Sequence, residues 1–387
     1  MSDTSLRPMY VGLDVHKDTI AVAVADGDGR EARTFGTIDN NTAALERLLR
    51  RLTAAHPGRR WIFCYEAGPC GYPLARRLRR LGHVCHVIAP SLIPRRAGDR
   101  VKTDRRDALQ LARLLRAGEL TAVCVPDEEL EALRDLSRAR EDLLRNERRL
   151  RQNLSGLLLR HEHVYRDGDA WTLKHGLWLD RQHFDQAHTQ LAFQGYRQSL
   201  ALAEHQRREL ERQLLEAAAG CLYADLQISL AALRGIDELA SSMLLAELGE
   251  LTRFPRPTQL SAFVGLIPSE ASSGSRRRLG AITKTGNAHV RRLLIECAQS
   301  YQYPAKLTPR IRRRYERCSP QVQAIAWKAQ TRLCPRFRRL LQKGRPRNLV
   351  VTAIARELCG FIWAIGQAVA QARDRPGALA DAIANAA

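Results

Sequence analysis

The sequence has 387 residues, enough for two or three domains with buried cores, and 62 Lys and Arg against 41 Asp and Glu give a net charge of +21. This excess predicts a polyanionic partner, because basic side chains that neutralise phosphates displace condensed counterions. An anionic membrane is disfavoured, since the basic residues are spread over several segments. Nine cysteines without a CxxC pair or zinc-finger spacing argue against a disulfide scaffold and indicate reduced cytoplasmic thiols.

The first 125 residues alternate strand and helix signals. Apolar runs at 9–15 and 19–25 are joined by a polar turn at His16-Lys17-Asp18, and a third strand follows near residue 33. Helix and strand patterns then alternate, and the last helix has Thr103 as its predicted N-cap and Gly118 just beyond its end. Three meandering strands followed by this alternation predict an α/β domain of the ribonuclease H-like (RuvC-like) class over residues 1–125.

After residue 126 the pattern becomes helical. Leucines recur every seventh residue at 136, 143, 150 and 157, which predicts a long helix and a coiled coil, and a second helix is expected over 187–219. Between them lies a segment with Trp171, Trp178 and several histidines. His161 and His163 lack a suitably spaced third ligand, so we expect loop packing or base stacking there and no metal. Residues 126–222 are therefore interpreted as a coiled-coil linker.

The remaining residues, 223–387, are predicted to form a mainly α domain. Its segment 306–347 holds fourteen Lys or Arg against one acid, Glu316, which favours contact with phosphates. The apolar stretch 349–372 contains Arg356, Glu357 and Gln367, so we interpret it as a buried helix and not a membrane span. Without an apolar signal segment at the N-terminus, the chain is expected to be cytoplasmic and, given its charge, nucleoid-associated.

Four acids occupy positions that suggest a metal centre. Asp14 lies within the first apolar strand, and Glu66 directly follows the strand at 61–65. Asp104 and Asp107 are three residues apart at the start of a helix, on the face that should pack inward. Converging carboxylates repel one another unless a cation lies between them, and Mg²⁺ takes such ligands, with Mn²⁺ as a substitute. Taken alone, the helical pair could equally be first-turn acids favoured by the helix dipole.

A serine-rich loop provides a candidate nucleophile. The segment 269–275 (SEASSGS) is followed by Arg276, Arg277 and Arg278. A serine beside glycine could attack a phosphodiester, with the arginines stabilising the developing charge. Composition alone fits a non-catalytic phosphate-binding loop just as well.

Several motifs together resemble one bacterial insertion-sequence family, the DEDD transposases or bridge-RNA-guided serine recombinases. In the N-terminal half they are 10–17 (YVGLDVHK), 65–68 (YEAG) and 102–108 (KTDRRDA). In the C-terminal half they are 260–270 (LSAFVGLIPSE), 272–274 (SSG), 280–287 (GAITKTGN) and 291–294 (RRLL). Motif order and spacing agree in both halves, from about residue 9 to 370.

The resemblance implies a separate role for each domain and a set of site residues. It implies a RuvC-like domain that binds magnesium through Asp14, Glu66, Asp104 and Asp107, and a C-terminal transposase domain. The nucleophile would be Ser273, or Ser272 as second choice, forming a covalent phosphoserine link to DNA. The nucleic-acid-binding residues expected around it are Arg276, Arg277, Arg278, Lys284, Arg291 and Arg292.

The same resemblance implies donor and target DNA as substrates, an element-encoded guide (bridge) RNA, and a homodimer or homotetramer assembled through the coiled coil. The main alternative is a Holliday-junction resolvase or structure-specific nuclease that uses only the four acids. An ATP-binding protein of the actin class gives no reason for the positive charge, and the sequence has no Walker-type loop. A purely architectural nucleic-acid binder would tolerate loss of Asp14 and Glu66.

Overall fold

The structure, a computed structural model, describes residues 8–29, 31–94, 103–271 and 278–373. The chain divides into two compact units, Met1–Val125 and Pro126–Ala387. These units meet at residue 125/126, and the further domain boundary at 222/223 stays a prediction.

The N-terminal unit is built on a mixed sheet. Within its described residues five strands lie in the order β3-β2-β1-β4-β5, with β1, β2 and β3 antiparallel and β1, β4 and β5 parallel. The strands are β1 Met9–Val15, β2 Thr19–Asp26, β3 Arg33–Asp39, β4 Trp61–Glu66 and β5 Val84–Ile88. The helices are α1 Thr42–Ala55, α2 Pro73–Arg80 and α3 Asp104–Ala117. This mixed sheet is consistent with the predicted ribonuclease H-like class.

The two faces of the sheet have different cores. Large side chains such as Leu13 and Phe63 point to one face, where they pack with apolar residues of α1 and α2. The opposite face is lined by small residues and is covered by α3, whose Ala108 and Ala112 are fully buried against it. Gly12 lies on this face, and a Cβ there would be 2.2 Å from the Ala108 carbonyl oxygen. The α3 backbone therefore rests directly on β1.

We expect Gly12→Ala to destabilise the N-terminal unit by about 3 kcal/mol or more, the upper part of the range for overpacking, because the clash is with backbone atoms. Chemical denaturation followed by circular dichroism measures this change. Gly29→Ala is the matched control, because nothing lies within 4 Å of a Cβ at Gly29, although its φ of +89° adds some strain. A Gly12→Ala protein as stable as the wild type would contradict the close approach of α3.

The C-terminal unit is mostly helical, as predicted. Its helices are α4 Glu128–Arg160, α5 Leu173–Asp180, α6 Ala187–Gly220, α7 Ala224–Leu230, α8 Glu238–Leu248, α9 Pro257–Phe263, α10 Ala288–Ala298, α11 Pro309–Tyr315, α12 Pro320–Gln342 and α13 Arg347–Arg373. Two short antiparallel strands, β6 Pro268–Glu270 and β7 Leu279–Ile282, form a hairpin between α9 and α10.

The two longest helices of the described residues, α4 and α6, form an antiparallel pair that is joined by ion pairs along its middle. Glu147 of α4 is buried and contacts Arg207 of α6 at 2.6 Å. On either side of it lie Arg140–Glu211 at 2.5 Å and Arg151–Glu204 at 2.9 Å. The predicted long helices are thus present, but buried polar groups interrupt the leucine seam, and the coiled coil itself stays a prediction.

Both ends of this helical pair belong to apolar clusters. At one end Leu130 and Leu133 of α4 and Leu214 of α6 join the main core of the C-terminal unit. At the other end Leu154 and Phe193 pack with the aromatic segment that contains Trp171 and Trp178. The histidines there contact aromatic rings, and His161 and His163 both lie against Phe184. These side chains therefore pack within the protein, and base stacking by the segment stays a prediction.

Among the described residues, α13 is the one helix long and apolar enough to cross a membrane, with a mean hydropathy of 1.7 over its most apolar window. Half of that window is buried within the protein. Val350, Ile354 and Leu358 are completely buried and belong to the main core of the unit. The helix therefore packs as a core helix, as predicted.

Candidate metal centre and serine hairpin

Two of the predicted acids lie at the ends of neighbouring parallel strands. Leu13 of β1 pairs with Tyr65 of β4, so Asp14 and Glu66 are each one residue beyond that pair. Because side chains alternate along a strand, both acids share the face of Gly12 and Cys64, which is the face covered by α3. Cys64 confirms the orientation, since its Sγ donates to the Leu111 carbonyl in α3 at 3.7 Å.

The start of α3 brings a third acid to the same place. Thr103 caps the helix, and its side chain accepts a hydrogen bond from the Arg106 amide at 3.4 Å. The first turn then carries Asp104 and Asp107. Ligand atoms of Asp14, Asp104 and a residue not singled out from the sequence, His16, all lie within 4.8 Å of one another. His16 Nε2 is 3.3 Å from Asp14 Oδ2 and 3.5 Å from Asp104 Oδ1.

The electrostatics of Asp14 match those of a site that needs a cation. Burial raises the pKa of Asp14, and the charge and hydrogen bond of His16 oppose this effect. The carboxylates of Asp107 and Asp104 raise the pKa further, so both are close enough to repel Asp14. A divalent cation would stabilise all three charges, because it reverses the sign of the local field.

The donor set fits a hard divalent ion. Aspartate oxygens are the ligands that Mg²⁺ and Mn²⁺ prefer, and the exposed side chain of Asp104 leaves room for water or phosphate. The imidazole of His16 is a less suitable ligand for Mg²⁺, so its hydrogen bond to Asp14 is the more useful contact. Glu66 is exposed at its strand end and does not enter the three-residue group. Joint coordination by all four predicted acids therefore stays a prediction.

His16 had been interpreted only as part of a polar turn. The available signal was the spacing, because residues two apart at the end of a strand point to the same face. The backbone holds His16 firmly: its amide donates to the Thr19 carbonyl at 2.9 Å, and its carbonyl accepts from Asn40 Nδ2 at 2.8 Å. The β1–β2 turn thus presents the ring next to Asp14.

The predicted nucleophilic segment belongs to the β6–β7 hairpin. Pro268 pairs with Ile282, and the Ala271 amide donates to the Arg278 carbonyl at 3.0 Å. Ser272, Ser273, Arg276 and Arg277 lie outside the described residues. Arg278 is exposed where the described part of β7 begins.

The segments at the base of this hairpin are in close contact with the end of α9 and the start of α10. Gly286 has a φ of +80°, and a Cβ there would be 2.0 Å from the Phe263 carbonyl oxygen. Arg291 Nη1 donates to the Val264 carbonyl at 2.9 Å, so this guanidinium fastens the segment after α9 to α10. Lys284 is exposed beside these contacts. Of the predicted nucleic-acid contacts, Lys284 is free to meet solvent, whereas Arg291 has an evident structural role.

Two buried glutamates, not singled out from the sequence, fix the start of α10. Glu141 of α4 contacts His289 at 2.5 Å and also pairs with Arg292. Glu247 of α8 accepts from Asn287, the N-cap of α10, at 2.7 Å. Arg292 was predicted to bind nucleic acid, but it has a buried intramolecular partner. Its role in binding stays a prediction, and the contacts favour a structural one.

Two transposase family models match separate segments of this chain. Residues 11–162 match the transposase family model DEDD_Tnp_IS110, and residues 229–316 match the model described as "Transposase IS116/IS110/IS902 family". "Putative transposase y4qE" of Sinorhizobium fredii (strain NBRC 101917 / NGR234) is 44% identical over 94% of this chain and 90% of its own length. The transposase for insertion sequence element IS1533 of Leptospira borgpetersenii is 33% identical over 87% of this chain and 98% of its own length. The chain therefore belongs to the IS110 family of DEDD transposases encoded by insertion sequences.

Proposed function

We propose that this transposase exchanges DNA strands in a Mg²⁺-dependent reaction in which Ser273 forms a covalent phosphoserine link. The observation that carries the proposal is the convergence of Asp14, Asp104 and His16 on one face of the sheet. Isolated acids of this kind would lower stability without benefit, because burial and mutual repulsion both disfavour the carboxylate of Asp14.

The acids would act together on the scissile phosphate. Asp14 and Asp104, with Asp107 and Glu66 beside them, would hold the divalent ion, which supplies charge stabilisation for the phosphodiester. His16 Nε2 would donate to the Asp14 carboxylate, 3.3 Å away, and thereby fix its orientation. The exposed Asp104 would remain open towards the nucleic acid.

In the serine step, Oγ of Ser273 forms a bond to phosphorus, and the bond from phosphorus to one deoxyribose oxygen breaks. The serine proton passes to a base, and the released deoxyribose oxygen gains a proton. A deoxyribose hydroxyl of the second strand then attacks the phosphoserine and frees the serine. One phosphodiester is exchanged for another, so no external energy source is needed. Arg276, Arg277 and Arg278 would stabilise the charge on phosphorus oxygens.

The proposed partners are donor and target DNA, a guide RNA encoded by the element, and further copies of the chain. The net charge of +21 supports the nucleic acids. Assembly through α4 and α6 is supported by exposed apolar side chains near the end of this helical pair, where Leu159 is 68% and Leu173 84% exposed. We place the reaction in the cytoplasm, at the nucleoid.

A trapping experiment tests the serine step. The wild type, incubated with labelled donor and target DNA, Mg²⁺ and the guide RNA transcribed from the element, should give a protein–DNA adduct that survives denaturation. Ser273→Ala should abolish this adduct and lower strand exchange by at least about 1,000-fold, because the nucleophile is absent. Ser272→Ala is the matched control and should keep the adduct.

Each other outcome has a clear meaning. An adduct that is lost with Ser272→Ala and kept with Ser273→Ala would assign the nucleophile to the second candidate. Cleavage that persists in both single variants and in the double variant, without any adduct, would favour the nuclease alternative that uses only the acids. Unchanged exchange without the RNA transcript would remove the guide RNA from the proposal.

A further inference from the structure

The long helix α12 has an unusual charge pattern. Its 23 residues contain no acidic side chain, and they carry five basic ones: Lys328, Arg332, Arg336, Arg338 and Arg339. Lys343 adds a sixth at the C-cap. The opposite face of the helix is apolar and lies in the core of the unit, with Ala326, Leu333 and Phe337 fully buried. The charge is therefore confined to the face that meets solvent.

The basic side chains divide into two groups by whether they have a carboxylate partner. Arg332 and Arg336 turn towards α13, where both pair with Glu357. Lys328 and Arg339 are eleven residues apart, just over three full turns, and so lie on one line along the helix. Lys343 continues this line about 22 Å from Lys328 at 1.5 Å per residue. We call Lys328, Arg338, Arg339 and Lys343 the basic strip.

The basic strip lacks compensating charge. All four side chains are exposed, and in the described part of the chain no carboxylate pairs with any of them. Like charges four residues apart, such as Arg339 and Lys343, destabilise a helix slightly. A surface that served only solubility would mix the two signs along the helix. The strip therefore has the charge and length expected of a contact with several successive phosphates.

An aromatic side chain lies at the edge of the strip. Trp327 precedes Lys328 and is 40% exposed, although it is a large aromatic side chain. Indole rings beside basic grooves stack on unpaired bases, a contact that does not depend strongly on sequence. A base in an intact duplex cannot stack in this way, because its faces are covered by neighbouring base pairs.

We propose that the basic strip of α12, with Trp327, binds a single-stranded segment of nucleic acid: the strip contacts successive phosphates and Trp327 stacks on an unpaired base. The site lies on an element distinct from the serine hairpin. It requires neither the metal centre nor the covalent step, so it stands independently of the proposed reaction.

The test measures binding of the full-length protein to fluorescein-labelled 20-nucleotide RNA, single-stranded DNA and duplex DNA of mixed sequence, in EDTA. The variant is the triple substitution Lys328→Ala, Arg339→Ala and Lys343→Ala. Its slope of log affinity against log salt for the single strands should fall by about 2, because three phosphate contacts are lost at about 0.7 each. Equal melting temperatures of variant and wild type establish that both are folded.

The matched control removes three exposed arginines of α4, Arg145→Ala, Arg148→Ala and Arg149→Ala, and changes the net charge equally. It should leave the salt slope within about 0.5 of the wild type if those side chains make no phosphate contact. Arg332→Ala, which removes a charge already paired with Glu357, should weaken binding less than Arg339→Ala. Equal losses in the α12 triple variant and the α4 control would overturn the proposal, since net charge alone would then explain binding.

Trp327 provides a second, independent readout. Trp327→Ala should weaken single-strand binding by about 5- to 150-fold, the range for loss of one stacked base, and leave duplex binding unchanged. Trp327→Phe should recover part of the affinity. Comparison of the RNA and DNA arms identifies which strand is preferred, and preferential loss of duplex binding would contradict the single-stranded assignment.

Discussion

Asp14→Asn is expected to lower strand exchange by at least about 100-fold and at the same time to raise the melting temperature of the metal-free protein by a few degrees. Loss of activity is expected because removing even a residue that only hydrogen-bonds to a metal ligand lowers metal affinity or activity about 10- to 100-fold. Asp14 is itself a proposed ligand. The gain in stability follows because burial and the neighbouring acids disfavour the Asp14 carboxylate.

The pH dependence of this gain has a definite sign. The folded-state pKa of Asp14 is raised above its ordinary value of 3.8, so the folded protein binds the proton more tightly than the unfolded chain. Asp14 therefore lowers stability increasingly as the pH rises from about 3.8 through the folded-state pKa. The stability advantage of Asp14→Asn should be absent at low pH and complete at neutral pH, as measured by thermal melting across that range.

Divalent ions should reverse the order of stability. Mg²⁺ or Mn²⁺ should raise the melting temperature of the wild type, because a ligand that binds only the folded state stabilises it, and should have little effect on Asp14→Asn. The matched control is Asp18→Asn, an exposed aspartate in the same β1–β2 turn. If Asp14→Asn melted below the wild type without metal, or kept its response to Mg²⁺, Asp14 would not belong to a metal centre.

Glu247→Ala is expected to have the largest effect on stability, about 3–5 kcal/mol, because it removes a buried carboxylate on which several hydrogen bonds converge and leaves the largely buried Arg134 without its counter-charge. Glu247 is 4% exposed, accepts from Arg138 Nε at 2.8 Å and also accepts from the N-cap residue Asn287. For a unit of this size the loss corresponds to a fall in melting temperature of about 10 °C. Differential scanning calorimetry of the full chain measures it.

The pH dependence of stability tests whether the charge of Glu247 causes this loss. Burial alone would raise the pKa of Glu247, but hydrogen bonds from Arg138 and Asn287 and the charges of Arg138 and Arg134 outweigh it and lower the pKa. Its contribution is therefore present above the unfolded-state pKa of about 4.5 and lost as the pH falls through the folded-state value. Glu316→Ala, at an exposed position, should change neither stability nor its pH dependence. Equal melting of the two variants would show that Glu247 contributes little.

Local signals predicted the N-terminal unit well. The α3 helix begins after Thr103 and ends before Gly118, whose φ is +72°, and both ends were predicted from those two residues. A capping side chain and a left-handed glycine act within one turn, so no distant contact is needed to recognise them. The strands were equally accessible, because short apolar runs between turns are local patterns as well.

Which side chains of α4 are buried was not predictable from local signals, because it depends on the helices that pack against α4. The heptad leucines of α4 suggested an apolar seam, yet Leu143 and Leu150 are half-buried while Glu141 and Glu147 are buried. The reason lies in the facing helices, which provide Arg207 and Arg292 as partners. A buried glutamate and a solvated one look alike in a sequence, since the difference depends on residues more than fifty positions away.

The geometry of the candidate metal centre also depends on contacts between distant segments and was only partly predictable. Strand patterns alone placed Asp14 within one strand and Glu66 at the end of another, but the parallel register of β1 and β4 was needed to set them side by side. The contact between Asp14 and Asp104 depends on α3 crossing the sheet directly above β1. His16 lies close to Asp104 because of the same crossing, and no local sequence pattern predicts where α3 crosses the sheet.

The backbone contact at Gly12 has a consequence for how the centre can vary. Because main chain lies against main chain between β1 and α3, the spacing of Asp14 from Asp104 is set by peptide geometry and not by the rotamers of intervening side chains. Substitutions elsewhere in the unit can repack apolar side chains and leave that spacing intact. We therefore expect the metal centre to tolerate substitutions in the surrounding core but to require glycine at position 12.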